Sequence, residues 1–288
     1  MFRQRALSSV GVVVVGVVPA LFGVWGAAVA FAGLGIIALV ELRAMFGQLA
    51  YTVMLPISVA VVVLMVIAVA VGWPIWVFSA LVAATLLAPG AVVIFCQPLD
   101  GTLPSWIATV FATLYIAVPL GHIVAVRHIA GDTSGAGAWL TNLEDAFGFR
   151  STALGLAWFL LALITTWFTD TFAYLCGRAF GRRRMAPLVS PKKTWEGFAG
   201  GIAGAILTAV IANWCFGIGM RVVVAALVGV LIALAASVGD LSESLMKRQT
   251  GIKDSGALIP GHGGVLDRID GLLFVFVVVY YVARAVGS

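Results

Sequence analysis

Between Arg43 and Asp100 lie 56 consecutive residues without one Asp, Glu, Lys or Arg, and between Arg5 and Glu41 lie another 35. A helix needs about 20 apolar residues to cross a bilayer, so each run is too long for one crossing and must fold back once. Turn residues stand where the reversals are needed: Gly23 and Gly26 in the first run, and Gly72, Trp73 and Pro74 in the second. Shorter uncharged runs of 26, 19, 24 and 18 residues occupy 101–126, 151–169, 197–220 and 222–239. Each suits a single crossing. The tail from Gly271 to Val286 supplies one more, with Arg284 able to snorkel to the interface. The expected fold is therefore all-α: a polytopic integral membrane protein of about nine transmembrane helices. Composition leaves no room for a separate soluble domain, since only 10% of residues are charged and 62% are hydrophobic, against about 25% charged in soluble domains.

The organisation that follows is one continuous membrane domain in two parts. Residues 1–150 would hold about five spans and an extracytoplasmic loop. Residues 151–288 would hold about four spans with two cytoplasmic loops. Cys96, Cys176 and Cys215 have neither paired nor metal-ligand spacing, which argues against a disulfide scaffold and a zinc site.

Orientation follows from basic residues, which are retained on the cytoplasmic side. With nine spans beginning inside, 13 of the 17 Lys and Arg fall in the cytoplasm, and only Arg127, Arg150, Arg221 and Arg284 fall outside. The expected location is the cell's inner (plasma) membrane, with the amino terminus and both polar loops cytoplasmic. The start, MFRQRALSSVGVVVVGVV, also resembles a signal peptide, but the apolar run continues, so an uncleaved first span is the expectation.

Charge separates the two parts. Residues 1–169 carry five basic and five acidic residues, whereas 170–288 carry twelve and seven, so the net +5 resides in the second part. Its polar residues lie mainly in two loops, 177–197 (GRAFGRRRMAPLVSPKKTWEG) and 239–271 (GDLSESLMKRQTGIKDSGALIPGHGGVLDRIDG). Taken alone, the first reads as a topology signal that touches anionic lipid heads. The second mixes both signs, and a topology signal requires no carboxylates.

If the eighth span continues as a helix past Asp240, then Asp240, Glu243, Ser244 and Lys247 share one face, at i, i+3, i+4 and i+7. Asp267 and Asp270 are three apart just before the last span. Two helix ends would then offer carboxylates to a common point at the cytoplasmic surface. Oxygen donors without Cys or paired His suit Mg2+, which takes one or two carboxylates plus substrate phosphates. A salt-bridge network between helix ends is the structural alternative. In PGHGG, residues 260–264, glycine amides can approach a phosphate, or the segment is a plain turn; no GxxxxGK[ST] occurs. Asp170 follows 19 uncharged residues. A carboxylate at membrane depth costs roughly 2.5–3.5 kcal/mol, so it needs a cation, a basic partner or water, unless it lies at the interface.

Together these residues resemble the phosphatidate cytidylyltransferase (CDP-diacylglycerol synthase) family. The carrying segment is SLMKRQTGIKDSGALIPGHGGVLDRID, residues 244–270, supported by WFTDTFAYLCGRAFGRR (167–183) and SPKKTWEGFAGG (190–201). The resemblance implies transfer of CMP from CTP to phosphatidate, giving CDP-diacylglycerol and diphosphate, the first committed step of phospholipid synthesis. It makes Asp240 and Asp267 the main metal carboxylates, with Asp170, Glu243 and Asp270 as further candidates. Lys247, Arg248, Lys253, Asp254, His262 and Arg268 become the catalytic set. Ser190, Lys192, Lys193, Thr194, Ser244, Gly263 and Gly264 would bind substrate. The expected partners are CTP, phosphatidate and the lipid bilayer, and no nucleic acid. Mg2+ is the expected cofactor; a second cation, divalent or monovalent, and a homodimer are left open, as is the role of residues 127–150. The DGxxAR...GxxxDxxxD arrangement of the CDP-alcohol phosphotransferases is absent. A transporter reading lacks the internal repeat many transporters show, and an archaeal-type ether lipid phosphate is the closest rival substrate.

Overall fold

The computed structural model describes residue 14 and residues 16–96, 102–148, 152–258 and 263–286. Among these, the chain forms α1 (Gly23–Gly47), α2 (Leu55–Val71), α3 (Ile75–Cys96), α4 (Thr102–Arg127), α5 (Ala138–Ala146), α6 (Ala153–Phe180), α7 (Trp195–Cys215), α8 (Val222–Gln249) and α9 (Leu266–Val286). Seven of them are long and apolar enough to cross a membrane, and α2 is a shorter apolar helix of 17 residues. The all-α polytopic expectation holds. Of the nine expected spans, eight correspond to α1–α4 and α6–α9; the first falls largely outside the described residues. A two-stranded antiparallel hairpin, β1 (Arg184–Ala186) and β2 (Ser190–Thr194), was not expected.

The expected reversal at Gly72 is built as a helix stop. Gly72 takes φ +76, the Trp73 amide donates to Ala68 O at 2.8 Å, and Pro74 cannot continue the helix. In the first uncharged run the helical conformation breaks at Phe22, with Gly23 at φ +72, while Gly26 lies inside α1.

The described chain divides into two compact units, and the division differs from one at residue 150. The first unit contains Val24–Val124 and Met246–Arg268; the second contains Ala20–Gly23, Ala125–Leu245 and Ile269–Ser288. The segment 246–268, expected with the carboxyl-terminal part, packs in the first unit. There, fully buried Ala38, Leu39, Leu42, Val62, Ile116 and Leu120 form the core of α1, α2 and α4. A buried hydroxyl pair, Thr113 Oγ1 to Ser58 Oγ at 2.7 Å, joins α4 to α2.

In the second unit, Phe159 of α6 packs at a tilt against Phe276 of α9 with ring centroids 5.0 Å apart. α6 and α7 approach closely because α7 presents glycines: a Cβ at Gly204 would meet the Phe172 ring, and one at Gly200 would meet the Cys176 side chain. Small residues at such a contact let membrane helices pack backbone to backbone. The segment between α4 and α6 is folded around Arg127, which is fully buried. Its guanidinium pairs with Glu144, itself buried, and donates to Ala20 O at 2.8 Å and Thr152 O at 3.1 Å. That assigns the region its structural part: it neutralises an arginine at the end of a membrane helix.

Candidate active site

The functional side chains fall into two groups, one in each unit. In the second unit, α6 does not stop at Asp170 but runs on to Phe180, so Asp170, Tyr174 and Arg178 follow one another at helical spacing. The β1–β2 hairpin then returns the chain to α7, whose first turn is capped by Thr194: its Oγ1 accepts the Gly197 amide at 3.1 Å. Glu196, in the same turn, accepts the amides of Arg182 at 3.0 Å and Arg183 at 3.2 Å, tying the hairpin's entry to the helix. These contacts and the glycine-lined approach of α7 to α6 enclose a cavity of about 380 Å³. Asp170, Arg178, Lys192, Lys193, Thr194 and Asp240 all line it.

Two of the lining residues form an ion pair, Lys193 Nζ to Asp240 Oδ2 at 2.7 Å. Asp240 Oδ1 also accepts from Ser244 Oγ at 3.2 Å, one turn along α8. The helix does continue past Asp240, to Gln249, so the i, i+4 spacing becomes an actual bond. Glu243 is buried, at 1% exposure. Ser190, expected to bind substrate, opens β2 and pairs in register with Ala186.

The first unit holds residues 246–268, most of the 244–270 segment. Lys247 Nζ lies 2.6 Å from Asp267 Oδ1. The other oxygen of Asp267 accepts the Ser255 amide at 2.9 Å, the Ser255 hydroxyl at 3.0 Å and the Gly264 amide at 2.8 Å. Gly263 has φ +84, and a Cβ there would lie 2.5 Å from Asp267 Oδ2. Thus the glycines serve a close backbone approach, and the Gly264 amide is directed at Asp267. Arg248, Lys253, Asp254 and Arg268 are exposed. Asp270, in the second unit, accepts the Gly271 amide at 2.7 Å. His262 lies outside the described residues.

Sequence reasoning overlooked Glu41 of α1 and Ser255. Glu41 is 7% exposed and accepts from Val265 N, Leu266 N and Ser255 Oγ. Its signal was available: it is the first acidic residue after 35 uncharged positions. Two residues from Arg43, it closes that run and belongs to no motif.

Among the described residues no three His, Cys, Asp or Glu side chains gather to hold a metal ion. The donors nonetheless fit a hard cation, because Asp240 and Asp267 each already hold a positive ammonium within 2.7 Å. Mg2+ asks for one or two carboxylates and completes its shell with water and phosphates.

The cytidylyltransferase family profile matches residues 3–286 of the chain. The phosphatidate cytidylyltransferase of Mycobacterium bovis is 34% identical over 280 residues, covering 92% of this chain and 82% of that protein. Those of Staphylococcus epidermidis and Synechocystis are 41% and 45% identical over 127 residues. These two alignments span 44% of this chain and just under half of each relative's own length, 49% and 43%.

Proposed function

The chain belongs to the cytidylyltransferase family, and from that premise we propose that it is a phosphatidate cytidylyltransferase, moving CMP from CTP to phosphatidate and releasing diphosphate. It is a multi-pass membrane protein. The reading places it in the cell's inner membrane with the site on the cytoplasmic side, where CTP arrives. The single observation that carries it is the cavity of the second unit, where Arg178, Lys192 and Lys193 stand beside Asp170 and Asp240.

The chemistry explains why such a lining is needed. Both reactants are polyanions, and their repulsion must be screened before an oxygen can reach phosphorus. The phosphatidate phosphomonoester has a second pKa near 6, so its attacking oxygen is largely anionic at neutral pH without a strong base. That oxygen bonds to the α-phosphorus of CTP, the bond from this phosphorus to the oxygen bridging toward the β-phosphorus breaks, and diphosphate departs with the electron pair. Catalysis is then positioning and charge stabilisation. Lys192, Lys193 and Arg178 would hold phosphate oxygens in the cavity. Lys247, with the exposed Arg248, Lys253 and Arg268, would neutralise charge on the signature side. Asp240 in the second unit and Asp267 in the first are each a carboxylate that would hold Mg2+, which supplies further positive charge to the phosphates when bound.

Purified protein in detergent, given CTP, Mg2+ and phosphatidate, should form a cytidine-linked lipid. An archaeal-type ether lipid phosphate run in parallel tests the rival substrate. Absence of product with every phosphatidate overturns the proposal.

A further inference from the structure

Glu41 has no place in the motif, and its surroundings within the first unit are unusual for a membrane helix. A buried carboxylate loses its hydration, which its contacts must offset. Oε1 accepts the Val265 amide at 2.8 Å, and Oε2 accepts the Leu266 amide at 2.8 Å and the Ser255 hydroxyl at 3.0 Å. The first two donors stand at the start of α9, where backbone amides have no intrahelical acceptor and the helix dipole favours a negative charge. The partner is supplied from α1, more than 200 residues earlier. Two glycines make room for it: a Cβ at Gly256 would lie 2.6 Å from Glu41 Oε1, and one at Gly264 would meet Ser255 Oγ and both Glu41 oxygens.

The Ser255 hydroxyl stands 3.0 Å from Glu41 Oε2 and 3.0 Å from Asp267 Oδ2. One serine hydroxyl, with a single proton to donate, is thereby shared between two carboxylates. Three donors to Asp267 Oδ2 come from Ser255 and Gly264. Ser255 is bonded to Glu41, and Gly264 packs on it. Where Asp267 directs its other oxygen, the one that holds Lys247, depends on this arrangement.

We propose that Glu41 is a positioning residue for cytidylyl transfer: by holding Ser255 and the start of α9, it fixes the carboxylate of Asp267. This rests on the reading that Asp267 serves that reaction. Glu41→Gln keeps the size but turns an N–H donor toward amides that need an acceptor. Ser255→Ala removes only the hydroxyl bridge and leaves the bonds to Val265 and Leu266.

The full chain, wild type and variants, would be assayed in detergent for kcat, for KM toward CTP and phosphatidate, and for hydrogen exchange of the Gly264–Leu266 amides. Glu41→Gln should lower kcat about 10- to 100-fold, the range for partners of metal-holding groups, with faster exchange at those amides. Ser255→Ala should lower kcat while the Leu266 amide exchanges as in wild type. The double variant should be no worse than Glu41→Gln alone, since residues acting along one path are not additive. Wild-type kcat in Glu41→Gln despite faster exchange would make the residue a structural cap and overturn the proposal, as would full additivity in the double variant. If Glu41→Gln fails to insert, Ser255→Ala decides alone, and unchanged kcat there is fatal. A wild-type protein without transfer instead rejects the functional reading itself, whereas a fully active Asp267→Asn leaves that reading standing and removes Asp267 from the reaction; either outcome takes the proposal with it.

Discussion

Asp267 uses both of its oxygens. One faces the Lys247 ammonium and the other collects three donors from Ser255 and Gly264. Asn at this position can keep a carbonyl toward the three donors, but its amide then confronts Lys247, donor against donor. The local fold therefore survives better than the charge does. Asp267→Asn is expected to insert and to elute as wild type in gel filtration, while turnover falls about a hundredfold or more, as when a transition-state charge partner is removed. Near-normal turnover would take Asp267 out of the reaction. Arg127 and Glu144 show the contrasting use of a buried pair. Their guanidinium and carboxylate are held by Ala20 O, Thr152 O and the Thr152 hydroxyl. Buried pairs of this kind fix geometry more surely than they add stability.

At the scale of elements, the site in the second unit depends on how near α7 comes to α6. Gly204 stands where a Cβ would come within 2.6 Å of Phe172 side-chain atoms, so Gly204→Ala should push the helices apart. Overpacking of this size costs about 1–3 kcal/mol, and Asp170 and Lys193 would move relative to one another. The measurement is thermal unfolding in detergent alongside activity, with both expected to fall. Gly33→Ala is the control: its Cβ meets nothing within 4 Å, and Ala is the better helix former by about 1 kcal/mol, so stability should hold or rise. If both variants behave alike, close packing of α6 and α7 is not what supports the cavity. The elements themselves were largely legible, because an uncharged run of 18 residues or more has few alternatives to a membrane helix. The conditional reading that α8 continues past Asp240 was met, since Glu243, Ser244 and Lys247 follow it in register. What escaped was set by partners distant in sequence. The SPKKT strand has a proline and adjacent lysines instead of alternating apolar residues, so only its pairing with Arg184–Ala186 reveals it. Glu41 gains its meaning from residues 255–266, and no local pattern carries that information.

For the whole molecule, the bias of Lys and Arg makes a prediction about sidedness that the fold renders testable. Among the described helices long enough to cross a membrane, α6 alone lies between the segment around Gly135–Gly137 and the β1–β2 hairpin, and a single crossing must put the two on opposite faces of the membrane. Twelve of the 119 residues from Asp170 onward are basic, and six of those lie in or near the hairpin, from Arg178 to Lys193. The rule of basic retention therefore assigns the hairpin to the cytoplasm. Arg127, on the other side, does not oppose this, because Glu144 neutralises it. Two reporter positions avoid the site: Leu188 at the hairpin tip, 91% exposed, and the exposed Ala136. With Cys96, Cys176 and Cys215 replaced by serine, Leu188→Cys should resist a membrane-impermeant maleimide in intact cells and react after lysis. Ala136→Cys should react without lysis. The reversed pattern would put the hairpin and its lysines on the outer face, away from cytoplasmic CTP, and labelling of both positions in intact cells would mean that α6 does not cross.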